Sequence, residues 1–154
     1  MKKLNEFQFE TVVKTIYNNL DYPFDSSKAE AFGVTLDDDY SVKITPIASN
    51  GDIYNLINYD VELQNSVKLY DLITFATCGW AAPIDKSNDE NNEVAPSKHP
   101  ERRRVRLLTT ASINNQFGSS ISFKDNPDEP VFDFGNARGA LADAIKELIN
   151  SAAE

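Results

Sequence analysis

The sequence predicts an α+β fold: a single α+β domain over residues 1–154, in which an antiparallel β-sheet of about four strands is packed by N- and C-terminal amphipathic helices. Three observations carry this reading. Apolar residues recur with helical spacing near both ends, and runs of strand character lie between them. The strands are joined by short turn signals rather than by long crossover helices. A chain of 154 residues suits one domain with a substantial core.

Taken in order, Phe9, Val12, Val13, Ile16, Tyr17 and Leu20 fall on one stripe of a helix. Asn5 with Gln8 resembles a capping box, and Asp21-Tyr22-Pro23 ends the run. Ser27 followed by Glu30 at the fourth position reads as the cap of a short helical turn that Gly33 stops. Tyr40, Val42 and Ile44 alternate with polar residues, a half-buried strand ended by Pro46, and Asn50-Gly51 marks a turn. Residues 53–58 lean helical. Leu72 to Thr77 is apolar at both parities and rich in β-branched and aromatic residues, as a central strand buried on both faces would be.

Residues 85–100 are polar and hold two prolines and little to bury, so a flexible exposed loop is expected. Arg103 to Ala111 and Ser119 to Lys124 read as a hairpin closed through the Asn114–Gly118 segment. Asp125 to Asp133, with Pro127 and Pro130, reads as an acidic connector. The last helix carries Leu141, Ala144, Ile145, Leu148 and Ile149 on one stripe, with Asn136 as its cap.

Composition narrows the function classes. The net charge is −9, and the chain has one Cys and one His. No intrachain disulfide can form, and a zinc site built from Cys and His is nearly excluded. No metal and no other cofactor is expected. The acidic balance makes nucleic acid and anionic lipid unfavoured partners. The N-terminus starts basic without entering an apolar run, which points to a cytoplasmic protein with no membrane association.

One stretch departs from the acidic background. Arg102, Arg103, Arg104 and Arg106 are four of the five arginines, and residues 98–106 carry +4 against −13 for the remainder. On a strand, Arg102, Arg104 and Arg106 share one face, about 6.8 Å apart. Such a row of guanidinium forks can hold a carboxylate or phosphate, with Trp80 on the preceding strand as the nearby aromatic. The structural alternative is a hairpin centred near Asn115 and Gln116, which would set Arg106 against Asp125, Arg103 against Asp128 and Arg102 against Glu129. The arginines would then be neutralised internally.

The chemistry-bearing alternatives are fewer. Cys78 follows the central strand and precedes Gly79, a place where nucleophiles often sit, and His99 is its one possible histidine partner. A cysteine-dependent hydrolase or transferase would use that pair, although a lone cysteine is more commonly a small buried core residue. Asp37-Asp38-Asp39 and the carboxylates at Asp85, Asp89, Glu90 and Glu93 do not follow a calcium-loop pattern and read as turn chemistry. Gly135 to Gly139 opens the last helix with Arg138, a weak anion-site pattern lacking the phosphate-loop Lys-Ser/Thr pair. The leading expectation is a non-enzymatic binding module whose protein partner or small anionic ligand meets the Arg102–Arg106 strand, Trp80 and the adjoining loop. A second alternative makes the acidic body a decoy for a basic or nucleic-acid-binding partner protein.

Overall fold

The computed structural model describes residues 3–82, 98, 100–135 and 139–153. Its order is α1 (Glu6–Asn19), β1 (Ala29–Leu36), β2 (Val42–Asn50), α2 (Ile53–Tyr59), α3 (Val61–Ser66) with a following 3₁₀ turn (Val67–Leu69), β3 (Leu72–Ala81), β4 (Arg103–Ser112), β5 (Phe117–Phe123), β6 (Asn126–Phe134) and α4 (Ala140–Ala153). One antiparallel sheet of six strands, not four, runs β2-β1-β3-β4-β5-β6. The α+β expectation and the helical packing stand; two strands were not foreseen.

α1 forms as its sequence indicates. The Asn5 side chain accepts from the Gln8 N–H at 2.8 Å, and the Gln8 side chain accepts from the Asn5 N–H at 3.0 Å. Its stripe packs on one face of the sheet: Phe9, Val12, Val13 and Ile16 are buried with Phe32, Val34, Leu72, Ala76 and Leu108. The other face carries α2, α3 and α4, where Leu56, Ile57, Leu63, Ile145 and Ile149 close over Ile73, Phe75, Ala111 and Phe117. The sheet is therefore buried from both sides at its centre. β3 is the strand expected to be buried on both faces. On it, Thr74 joins Thr110 of β4 by a 2.8 Å hydroxyl hydrogen bond in the core, so each buried hydroxyl has a partner.

Residues 29–36 form β1, not a helical turn. Small and apolar residues occupy both faces of this strand, so no alternation announces it. Gly33 is needed because the Tyr70 ring lies flat on its backbone, where any Cβ would collide with the ring. β2 runs through Pro46 to Asn50 because it is an edge strand, and a register shift opposite Phe32 absorbs the proline.

Residues 125–133 are likewise not a connector: most of that stretch is β6, the opposite edge. The Gly135 N–H donates to the Phe117 carbonyl at 3.2 Å. Antiparallel alternation then points the Asp133 and Val131 N–H groups inward and the nitrogen of Pro130 outward, where a donor would otherwise invite another strand. The Asp37–Asp39 cluster shapes the β1–β2 turn, in which the Ser41 hydroxyl bonds the carboxylates of Asp37 and Asp39 at 3.0 and 2.8 Å. Most of the 85–100 loop lies outside the described residues, as do His99, Asn136 and Arg138. Among the described residues no helix is long and apolar enough to cross a membrane.

Candidate functional site at the basic end of the sheet

The register brings the basic residues together. Trp80 stands opposite Arg104 and Cys78 opposite Arg106 across β3 and β4. Strand alternation then sets Cys78, Trp80, Arg102, Arg104 and Arg106 on the face that α1 covers. α1 stops at Asn19, short of this end. The chain then crosses the exposed sheet as an irregular segment, residues 21–27.

That strap is tied down by the same side chains. Arg106 Nη1 donates to the Tyr22 carbonyl at 2.7 Å, Cys78 Sγ to the Pro23 carbonyl at 3.0 Å and Arg104 Nε to the Phe24 carbonyl at 2.9 Å. Three consecutive carbonyls thus point at the sheet and meet a guanidinium, a thiol and a second guanidinium. Lys124 adds an ion pair to Asp25 at 2.7 Å. Arg106 is also enclosed by rings, with its guanidinium carbon 5.1 Å from the Tyr17 centroid and 4.8 Å from that of Phe24. Its Nε and the hydroxyl of Ser122, the residue facing it on β5, are buried without a hydrogen-bond partner among the described residues.

The expected neutralisation by the hairpin occurs in part and in a different register. The β4–β5 turn spans residues 112–116, with Asn115 at φ 61°, so facing numbers sum to 228 and not to about 231. Arg103 therefore meets Asp125, donating from Nε at 2.9 Å and Nη2 at 2.5 Å. Asp128 and Glu129 belong to β6 and do not oppose Arg103 and Arg102. Arg106 faces Ser122, and no carboxylate pairs with it among the described residues. The Arg103 guanidinium holds the Asp125 carboxyl below the ordinary carboxylate range, and the carboxylate in turn raises Arg103.

The outer corner remains on the surface. Trp80 is 38% exposed, and two guanidinium carbons lie over its indole, Arg102 at 4.9 Å and Arg104 at 5.1 Å. Neither family models, curated proteins nor solved structures give a match to this chain.

A pocket of about 430 Å³ at the opposite end, lined by Glu6, Phe9, Glu10, Gln116, Phe134 and Gly135 among others, holds neither Cys78 nor Trp80 nor any of the strand arginines. Cys78 is committed to the strap carbonyl, and its only possible partner, His99, lies outside the described residues. Among the described residues no cluster of three or more metal-ligating side chains is assembled.

Tyr17, Tyr22 and Phe24 were not foreseen as part of this end. The signal was present as Tyr22-Pro23-Phe24, two aromatics around a proline just after a helix. Tyr22 is buried and its hydroxyl donates to the Lys28 carbonyl at 2.6 Å. Burial pushes its pKa up to about 12. The folded state thus holds the phenolic proton more tightly than the unfolded state. The stability this contributes is present up to about pH 10 and is lost as pH rises towards 12. Urea unfolding at pH 9 and 11 should show a loss of about 1.3 kcal/mol, and Tyr22→Phe should remove most of that slope. An equal slope in the variant would place the alkaline sensitivity elsewhere.

Proposed function

We propose that this protein is a non-enzymatic binding module that takes an anionic partner, an acidic protein segment or a small anion, at the Trp80–Arg102–Arg104 corner. The observation that supports it is the placing of two guanidinium carbons 4.9 and 5.1 Å from the ring centroid of a partly exposed tryptophan, a basic surface on a chain of net charge −9. Tryptophan and arginine dominate interface energetics because each offers a large, well-ordered contact area with a polar or charged edge. An indole under two cations also holds their planes in place, so less side-chain freedom is lost when a carboxylate arrives. The strap beneath limits the contact set. Arg106 serves the Tyr22 carbonyl, and Arg104 serves the Phe24 carbonyl and lies 3.9 Å from the Asp25 carboxylate.

Trp80 is the one tryptophan in the chain, so its emission reports on the site directly. A 15-residue glutamate-rich peptide, and separately inorganic phosphate, should change that emission saturably at low salt. The response should weaken at 0.5 M salt, where the screening length falls to about 4 Å. Arg102→Glu should abolish it. Emission unmoved by either probe at millimolar concentration, or an unchanged response in the Arg102→Glu protein, would remove this reading.

A further inference from the structure

Among the described residues, the helices on the sheet face opposite α1 cover one end of it. Ile73, Phe75, Ala111 and Phe117 lie in the core beneath them. Further along β4, β5 and β6 the apolar side chains continue. Val105, Leu107, Ile121, Phe123 and Val131 fall on that same face by register, with Leu107 opposite Ile121, Ile121 opposite Val131 and Val105 opposite Phe123. None of the five belongs to either core among the described residues. Ile121 is 40% and Val131 60% exposed. A contiguous apolar row across three strands is the kind of surface that a helix or a second sheet normally covers.

The surroundings select among occupants. An added strand would need the edge of β6, where Pro130 presents no donor, and would leave the sheet face uncovered. A second copy of this chain would bring −9 against −9 and set the acidic margins of two patches close together. Those margins are Asp133, which shares the face of Val131 on β6, and Glu129, which lies two residues before Val131 where the β5–β6 register is irregular and whose carboxylate accepts from Asn126 Nδ2 at 3.0 Å. At the other margin the Arg103 guanidinium lies 3.8 Å from the Phe123 ring centroid and is already paired with Asp125, so that side is neutral. The charge left to be matched is negative.

We propose that this face docks an amphipathic basic helix of a partner protein. Its apolar stripe would lie on Val105, Leu107, Ile121, Phe123 and Val131, and its Lys or Arg flank would meet Glu129 and Asp133. The helix would extend the layer that α2, α3 and α4 already form on this side. The site is separate from the Trp80 corner, which lies on the opposite face.

The test uses the full chain and an 18-residue leucine–lysine peptide with leucines at helical spacing, followed by methyl NMR. The methyl signals of Val105, Leu107, Ile121 and Val131 should move saturably, while the Trp80 indole signal should not. Ile121→Lys with Val131→Lys should weaken binding at least tenfold with an unchanged circular dichroism melt. If that pair disturbs folding, Val131→Asn at the edge strand should still weaken binding severalfold. Asp133→Lys should weaken binding and flatten its salt dependence. Methyl shifts confined to other regions would overturn the proposal, and so would undiminished binding by the lysine variant. Equal binding by a peptide with Glu in place of Lys would remove the basic partner. A concentration-dependent dimer that protects these same methyls would put a second copy in its place.

Discussion

Phe75→Ala is expected to cost about 4 kcal/mol, as deletion of a fully buried ring from a core typically does. Phe75 is 1% exposed on β3, with β1 on one side and β4 on the other. Its neighbours across the sheet are Ala31 and Thr109, both too short to reach into the space the ring would leave. The helices above are held by further contacts at Leu56, Ile57, Ile145 and Ile149, so collapse into the void is restricted. Urea unfolding should show a lower midpoint with an unchanged slope, and the melting temperature should fall by roughly 10 °C for a chain of this size. Val131→Ala on the same sheet face should cost under about 0.5 kcal/mol, since that side chain stands mostly in water. Near-equal losses at the two positions would mean that the covered and uncovered halves of the face do not differ in packing.

The contrast between those halves also bears on what the sequence conveys. α1 was legible because its signals agree: a capping box, a six-residue apolar stripe and a proline-containing exit. β3 was legible because apolar residues at both parities have few other uses in a short run. β1 was not, because Ser27 and Glu30 imitate a cap and Gly33 imitates a stop. The actual role of Gly33 depends on Tyr70, 37 residues away, lying against its backbone. β6 was missed because its composition follows from its place at the sheet edge: carboxylates face water, and Pro130 removes a donor that would face another chain. A strand of that kind resembles a loop until its neighbour is known.

The site was legible to a similar depth. The shared face of Arg102, Arg104 and Arg106 and the nearness of Trp80 follow from strand alternation, and the structure has both. The internal partners do not follow, because they depend on turn geometry and on a distant segment. A turn centre shifted by one and a half residues moves every facing pair by three, which is why Arg103 and not Arg106 meets Asp125. The strap carbonyls lie about 80 positions from the arginines they meet. No local pattern encodes that contact.

Arg106→Ala is expected to destabilise the protein by about 3 kcal/mol. A charge-assisted hydrogen bond such as that to the Tyr22 carbonyl is worth about 1.5–3 kcal/mol. The ring contacts with Tyr17 and Phe24 add about 0.5–1 kcal/mol each. Against this, removal of the side chain also relieves a buried Nε that has no partner among the described residues, which trims the loss. The remaining strap ties at Cys78 and Arg104 hold neighbouring carbonyls, so the fold should survive with faster amide exchange at residues 22–28. Arg106→Lys should recover part of the stability, because an ammonium can reach one carbonyl but cannot lie flat between two rings. The same variant separates the two roles of the basic strand. Where Arg106→Ala is still folded, the Trp80 response to the glutamate peptide should stay within about twofold of the wild type, whereas Arg102→Glu should remove it at little cost in stability. The reverse pattern would make Arg106 the ligand-binding group and Arg102 the structural one.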